Sequence, residues 1–305
     1  MLGVSYRAEI KPSEPDLGYT SVGKRLIFLI SYLRSPKIPG SVFLSEFEFI
    51  KYMIWVLQLN RSVFPFLLLL CGLSFWELSV RFYQVPHYIL PTPTLIFTEL
   101  IKKHVLLFTH TLVTLQEMLI GFTLAIAIAI PIAILMFQFR VLEHAFYPFI
   151  IGSQSVPVFA IAPLLILWFG YGIFSKVVMT TVIVFFPITL NTLDGLKSAD
   201  PDMINMFRIL KANRWQILWK VNFPAALPFI FSGAKIGISI STIGAVIGEW
   251  VGSKAGLGYL MLHSNSQMQI ALVFAAIVCL TVMGLVLLAI MTFLEKIVVP
   301  WKVST

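Results

Sequence analysis

Long apolar runs separated by short polar stretches dominate the pattern of hydrophobic and polar residues along this chain. The runs are continuously apolar and do not alternate, which favours helices over the strands of a membrane barrel. Each is long enough, or nearly so, for the ~20 residues that a membrane-crossing helix needs. They cover residues 62–80, 105–137, 145–175, 177–193, 229–248 and 271–294. The pattern predicts an all-α integral membrane protein with about six crossings.

The composition supports a lipid environment. Of the 305 residues, 58% are hydrophobic and 12% are charged, whereas a soluble domain has about 45–50% apolar and about 25% charged residues. Cys71 and Cys279 both lie inside apolar runs, so they predict neither a disulfide framework nor a metal motif. We expect no bound metal and no cofactor.

The net charge of +8 would suit nucleic-acid binding, but no fold pattern of that class accompanies it. In membrane proteins, Lys and Arg collect in cytoplasmic loops. If the N-terminus is inside, the inner segments hold Lys51, Arg61, Arg140, Lys197, Arg208, Lys211, Arg214, Lys220, Lys296 and Lys302, and the outer segments hold Arg81, Lys102, Lys103, Lys176 and Lys254. This excess on the inner side predicts that both termini are cytoplasmic.

Residues 1–61 differ in composition from the rest of the chain. They mix Pro, Ser and charges with two short apolar pieces. The first piece resembles the hydrophobic region of a signal peptide, but Arg34 follows it and no convincing cleavage site is present. We expect an N-terminal extension that is disordered or interfacial, or a mis-assigned start with Met53 as the first residue. Residues 62–301 are expected to form the transmembrane domain.

The most informative polar stretch, residues 194–228, lies between the fourth and fifth runs. Ser198 or Asp200 can cap a first short helix. Asn213 tolerates a left-handed backbone and belongs to the break before a second short helix. A helix pair with an apolar face and basic flanks suits docking into a groove of a partner protein, or lying on the lipid surface. The pattern alone leaves both interpretations open.

Residues 194–228 resemble the cytoplasmic coupling loop of ABC-importer permeases. In that family the loop carries Glu-Ala-Ala, a short spacer, Gly, and a longer spacer that leads to an apolar-x-Leu-Pro ending. The corresponding residues here are Asn205-Met206-Phe207, then Lys211, then Val221-Asn222-Phe223-Pro224. Asn replaces Glu, Phe replaces the second Ala, and Lys replaces Gly. These departures bear on how strongly the loop couples to ATP hydrolysis.

The resemblance extends along residues 62–301. Leu90-Pro91-Thr92-Pro93, the stretch 163–170, and Gly256-Leu257-Gly258-Tyr259 are typical of the nitrate/sulfonate/taurine branch of these permeases. Residues 186–196 and 243–250, and the closing Val299-Pro300-Trp301, look like permeases for pyrimidine precursors of thiamine. Riboflavin permeases look similar.

The resemblance implies a type I ABC-importer permease bundle, a transport subunit of the bacterial inner membrane that is not itself an enzyme. The implied solute is a pyrimidine precursor of thiamine such as hydroxymethylpyrimidine; the alternatives are sulfonate or taurine, nitrate, and riboflavin. The implied partners are cytoplasmic ABC ATPase subunits, an extracytoplasmic solute-binding protein, membrane lipid and a second permease copy, giving a homodimer. The expected ATPase-coupling residues are Asn205, Met206, Phe207, Arg208, Lys211, Ala212, Asn213, Arg214 and Trp215.

Several polar and aromatic residues near the runs are expected to line a translocation path. They are Gln154, Phe159, Asn191, Ser239, Ser241, Glu249 and Trp250. The alternative is that serines bond their own helix and that Glu249 lies in water at the outer interface. We also expect Lys235 to reach toward a helix end, and Glu117 and His110 to lie near the outer surface.

The fifth run carries small residues spaced by three or four, namely Gly233, Gly237, Ser241, Gly244 and Gly248. Such a face lets helix backbones approach closely. It suits either an interface between subunits and the translocation path, or packing within one chain.

Two other classes of function, a membrane enzyme acting on lipid and a passive channel, fit the sequence less well. An integral membrane enzyme acting on lipid needs a nucleophile–base pair or metal ligands at membrane depth, whereas the histidines here are scattered without an acidic cluster beside them. A passive channel would leave the coupling loop without a purpose. The chain also has no phosphate-binding loop of the form G-x-x-x-x-G-K-[ST], so ATP hydrolysis would belong to other subunits.

Overall fold

A computed structural model describes residues 65–301 of the chain. The predictions for residues 1–61 therefore lie outside the described residues. The chain divides into two compact units, residues 1–72 and 73–305, and the packing described below is that of the second unit.

Within residues 65–301 the regular structure is helical. The helices are α1 (Pro65–Phe82), α2 (Pro93–Lys102), α3 (His104–Gln138), α4 (Arg140–Ser153), α5 (Val158–Phe169), α6 (Ile173–Lys197), α7 (Pro201–Ile209), α8 (Arg214–Ile217), α9 (Phe223–Gly252), α10 (Leu257–Ser266) and α11 (Ile270–Val298). A π-helical segment, Leu218–Asn222, joins α8 to α9. No strand occurs in this part of the chain.

Five helical stretches in the described part are long and apolar enough to cross a membrane: α1, α3, α6, the continuous stretch Arg214–Gly252, and α11. Helices α4 and α5 qualify only together, and they are bent by 103° at their junction. The third apolar run is therefore a broken pair, not the uninterrupted segment that residues 145–175 predicted. Pro157 lies at the break, because proline has no N–H for a continuing helix. Counting this pair as one span gives the expected six.

Helix α6 lies between α3 and α9 in the second unit. Lys176 and Thr181 of α6 contact Glu117 and Gly121 of α3, so residue numbers rise in the same direction and the two helices run parallel. Along α9 the order is reversed. Gly248 faces Lys176, Gly237 faces Val184 and Gly195 faces Ala226, so α9 runs antiparallel to α6. The connection between α6 and α9, residues 198–222, therefore lies at one end of the bundle, called here the loop end.

The small residues of α9 pack against α6 of the same chain. A Cβ added at Gly244 would lie 2.8 Å from Thr180 Cα, and one at Gly233 would lie 2.9 Å from the Pro187 carbonyl oxygen. Such distances leave no room for a side chain, because protein interiors are close-packed. Of the two interpretations that the sequence left open, the structure shows packing within one chain.

Candidate functional site

The predicted coupling loop, residues 194–228, contains a capped helix at the loop end. Asp200 Oδ1 accepts a hydrogen bond from Asp202 N at 2.9 Å, and Pro201 occupies the first turn of α7. An N-cap carboxylate satisfies one of the amides that a helix start leaves unbonded. Of the two predicted caps, Asp200 forms this bond, whereas Ser198 Oγ donates to the Gly195 carbonyl oxygen at the end of α6.

The break between α7 and α8 differs from the prediction. Lys211 has φ +58°, the left-handed conformation, whereas Asn213 is extended with φ −77° and acts as an N-cap. Asn213 Oδ1 accepts from Gln216 N, and Gln216 Oε1 accepts from Asn213 N, both at 2.8 Å. The expectation that Asn213 supplies the left-handed residue is therefore wrong, because its side chain is committed to this reciprocal cap.

The positive φ of Lys211 gives a reason for the glycine that the family pattern has at this position. Lys211 stands where the resemblance places a glycine, and glycine adopts positive φ without the Cβ penalty that other residues incur. The backbone conformation is thus retained here by a residue that is strained in it. The Lys211 side chain itself is exposed.

The coupling loop presents apolar side chains to its surroundings. Ile209 is 81% exposed and Trp215 is 55% exposed, while Phe207 and Ala212 are half-buried. The other predicted coupling residues are exposed. The remaining exposed apolar side chains of the loop are Met203, Met206, Leu210 and Trp219. An apolar surface of this kind on a helix pair is typical of a site that binds a partner.

The other side of the loop is anchored to the bundle. Leu218 packs in a buried cluster with Leu196, Ala226 and Ile230. Asn222, also buried, donates from Nδ2 to the Leu196 carbonyl oxygen at 2.8 Å. This bond joins the end of α6 to the start of α9. A force applied to α7 or α8 would therefore reach two long helices through bonded and packed contacts.

A buried group of polar side chains lies at the opposite end of α6. Lys176 Nζ donates to Glu117 Oε1 at 2.9 Å and to Ser253 Oγ at 2.6 Å. The Lys176 and Glu117 side chains are 8% and 1% exposed. The ion pair thus joins α3 to α6 away from water. Glu117 was expected near the outer surface and Lys176 in an outer loop; both are buried, because each supplies the other's counter-charge.

The first turn of α10 is held by side chains of α3 and α9. Gly256 N donates to His110 Nδ1 at 3.0 Å, and Leu257 N donates to Thr114 Oγ1 at 2.8 Å. Glu249 Oε2 accepts from Gly258 N at 2.5 Å and from Tyr259 N at 3.3 Å. These three side chains satisfy the amides that a helix start leaves without partners. The alternative that Glu249 lies in water is wrong, since this residue is 1% exposed.

The residues expected to line a translocation path differ in burial and do not form one hydrogen-bonded group. Gln154 is exposed at the α4–α5 break, and Phe159 and Trp250 are exposed on α5 and α9. Half-buried Asn191 donates from Nδ2 to the Pro187 carbonyl oxygen. The two serines of α9 bond their own helix, with exposed Ser239 donating to Lys235 O and buried Ser241 to Ile238 O. Within residues 65–301 these side chains make no hydrogen bonds to one another.

The sequence did not predict the hydrogen bonds around Glu249, nor the ion pairs of Lys176 and Lys235. Lys235, expected to reach toward a helix end, pairs with Glu295 of α11 at 2.7 Å. The only signal in the sequence was a lone charge inside an apolar run, which calls for a partner. The partners are 59 and 60 positions away for Lys176 and Lys235, so spacing along the chain could not identify them.

Comparisons with known proteins show the family of this chain. A family model for the "Binding-protein-dependent transport system inner membrane component" matches residues 121–301. The formylaminopyrimidine transport permease protein of Halalkalibacterium halodurans is 39% identical over 79% of this chain and 97% of its own length. The riboflavin transport system permease protein of Chloroflexus aurantiacus is 40% identical over 76% of this chain and 87% of its own.

A solved structure has the same fold. The inward-facing MetNI methionine ABC transporter aligns with a TM-score of 0.53 at 20% identity, covering 65% of this chain and 97% of that chain. These findings confirm the predicted all-α permease fold and the resemblance, and they confirm a transport subunit that is not an enzyme. The chain belongs to the binding-protein-dependent transport system inner membrane components, the permease subunits of ABC importers.

Proposed function

We propose that this permease carries a pyrimidine precursor of thiamine, such as hydroxymethylpyrimidine, across the bacterial inner membrane. The observation that carries the proposal is 39% identity to a formylaminopyrimidine permease over 97% of that protein. The segments 186–196 and 243–250 resemble the same group of permeases. Riboflavin is the second candidate, because a riboflavin permease is 40% identical over 87% of its length. Both solutes are heteroaromatic. Sulfonate, taurine and nitrate follow as alternatives.

The coupling loop is proposed to receive the ATPase subunits. Its exposed apolar side chains would fill a groove on the ATPase, and its anchored side would pass the resulting motion to α6 and α9. Trp215, exposed on α8, is a suitable anchor residue, because tryptophan is enriched among residues that dominate binding energy at protein interfaces. Both termini and the loop end would then face the cytoplasm, and a solute-binding protein would deliver substrate at the other end.

The translocation path is proposed to involve the accessible members of the predicted set. Gln154, Phe159, Asn191, Ser239 and Trp250 are exposed or half-buried, so they can contact a solute in a complete transporter. Ser241 and Glu249 bond within the chain, and we assign them to the architecture around the path. A second copy of the chain would complete the path, giving a homodimer.

The coupling role can be tested by comparing two tryptophans of equal exposure. Trp215 and Trp301 are both 55% exposed, but only Trp215 belongs to the coupling loop. Trp215→Asp should weaken ATPase copurification by about tenfold or more and abolish uptake, with normal membrane insertion. Trp301→Asp should leave both nearly unchanged. Full copurification and uptake by the Trp215 variant would refute this role for the loop.

The solute can be tested by competition in vesicles that contain the permease, its ATPase and its binding protein. Excess unlabelled hydroxymethylpyrimidine should suppress uptake of labelled hydroxymethylpyrimidine, whereas excess taurine should not. Suppression by riboflavin but not by the pyrimidine would transfer the assignment to the second candidate.

A further inference from the structure

An open cavity of about 1010 Å³ lies at the loop end between the coupling loop and the junction of α3 with α4. Cavities that bind small molecules are usually about 300–1,000 Å³, so this one can hold a ligand of metabolite size. Its lining comes from the α3–α4 junction on one side, the end of α6, and the coupling loop on the other. A ligand here would therefore touch the loop and the bundle together.

The charged side chains of the cavity are unbalanced. Arg140, Arg208, Arg214 and Lys197 line it, whereas Glu143 is the only acidic residue in the lining. Glu143 already pairs with Lys197, at 2.5 Å. The three arginines form no ion pair within residues 65–301, and Arg208 makes only a long 3.5 Å contact with Asn205. Guanidinium groups without counter-charges, gathered around one cavity, favour an anion with several oxygens.

The start of α4 adds the partial positive charge of a helix N-terminus to the cavity. Phe139 is the N-cap of this 14-residue helix and provides no side-chain hydrogen bond to it. Its first residue is Arg140, and both Arg140 and Val141 line the cavity. A helix start carries partial positive charge and free amides, so acidic residues or anions stabilise it and an arginine there does not. Glu143 in the same first turn supplies one acidic side chain, but it already pairs with Lys197, so Arg140 and the free amides leave this helix start positively charged.

We propose that this cavity binds a phosphate-bearing anion, which joins the first turn of α4 to the coupling loop through Arg140, Arg208 and Arg214. The phosphate can belong to an anionic lipid headgroup or to a free phosphorylated metabolite. Its location on the cytoplasmic side rests on the proposed function; the binding itself does not. Because the anion bridges the loop and the bundle, its binding restrains the movement of the loop against α4.

The test uses the full chain in nanodiscs of phosphatidylcholine and titrates inorganic pyrophosphate by calorimetry. Arg140→Gln should weaken pyrophosphate binding by about tenfold, which corresponds to about 1.4 kcal/mol, and Arg208→Gln should do the same. Lys220→Gln is the matched control, since Lys220 is an exposed lysine of the same loop that does not line the cavity. Pyrophosphate should also slow hydrogen exchange in residues 200–217 of the wild type.

A second set of nanodiscs containing phosphatidylglycerol distinguishes the two sources of phosphate. If pyrophosphate binds equally in both lipids, the ligand is a free phosphorylated molecule. If phosphatidylglycerol blocks pyrophosphate, and Arg140→Gln loses retained phosphatidylglycerol by mass spectrometry, the ligand is a headgroup. The proposal is overturned if neither probe binds, if Arg140→Gln binds both as the wild type does, or if Lys220→Gln weakens binding equally. None of these measurements depends on transport.

Discussion

Glu249 of α9 accepts hydrogen bonds from Gly258 and Tyr259 at the start of α10, with the Gly258 bond at 2.5 Å. Its other oxygen accepts from Thr114 of α3 at 2.7 Å. One buried carboxylate thereby links three helices at the end of the bundle opposite the coupling loop. A residue that the sequence suggested for the solute path is thus a structural junction.

Glu249→Gln should destabilise the protein by about 1–3 kcal/mol. The amide offers one acceptor oxygen where the carboxylate uses two, so its NH₂ group would replace the acceptor of either the Thr114 hydroxyl or the two backbone donors of α10. The measurement is thermal unfolding in detergent followed by tryptophan fluorescence. Glu99→Gln is the control, because Glu99 is half-buried on α2 away from this junction. If Glu249→Gln and the wild type unfold at the same temperature, the hydrogen bonds of Glu249 do not stabilise the protein.

Lys176→Met should be strongly destabilising, by about 3–5 kcal/mol, because it leaves the Glu117 carboxylate buried without a counter-charge. Adding Glu117→Gln to Lys176→Met should recover part of the loss, since the unpaired charge is then removed. Lys254→Met, at an exposed lysine, should have little effect. The unfolding midpoints of the four proteins test this prediction. If the double variant unfolds at the same temperature as Lys176→Met or below it, an unpaired Glu117 charge is not the cause of the lost stability.

Gly244→Ala should cost about 1–3 kcal/mol, because its Cβ would press on the backbone of α6. Gly284→Ala offers a matched control on α11. A Cβ there would find its nearest neighbour, Thr242 Cγ2, at 3.5 Å, an ordinary contact. We expect the first variant to lower the unfolding midpoint at every protein concentration, as packing within a chain requires. A loss that appears only on dilution would instead indicate an interface between copies.

Lys211→Gly should slow hydrogen exchange in α7 and α8 by stabilising the left-handed residue at φ +58°. The expected gain is about 1 kcal/mol, the scale of the Cβ penalty in that conformation. Lys211→Ala is the control, because it removes the charge but keeps the Cβ. Faster exchange in both variants would show that the lysine side chain, not the backbone, stabilises the loop.

The apolar runs were sufficient to predict the long helices α1, α3, α6, α9 and α11, because a lipid environment requires about 20 apolar residues per crossing. The cap of α7 was also predictable, since Asp200 and its neighbours act within one helical turn. The broken third crossing was harder, because its run contains no charged residue and only the short polar stretch Ser153-Gln154-Ser155 precedes Pro157. Sequence spacing likewise suggested Asn213 for the left-handed position, whereas a local hydrogen bond with Gln216 commits that residue to a cap.

The candidate site was predictable only in part. The two short helices of residues 194–228 could be predicted because their pattern is contiguous, and their coupling role stays a prediction. The Lys176–Glu117 pair and the bonds of Glu249 could not, since their partners come from different helices and depend on how α3, α6 and α9 pack. The cavity around Arg140 could not be predicted either, because it also depends on how separate helices pack. Arg140 follows the second apolar run, and only the fold brings it to the same cavity as Arg208 and Arg214.

The most direct test of the central claim is ATP-dependent uptake of labelled hydroxymethylpyrimidine into vesicles that contain this chain, its ATPase and its binding protein. We expect uptake that requires ATP and the binding protein, and that disappears with Trp215→Asp. Uptake that continues unchanged without ATP would indicate a passive channel and contradict the importer. No uptake by an assembled complex that hydrolyses ATP would contradict the pyrimidine assignment.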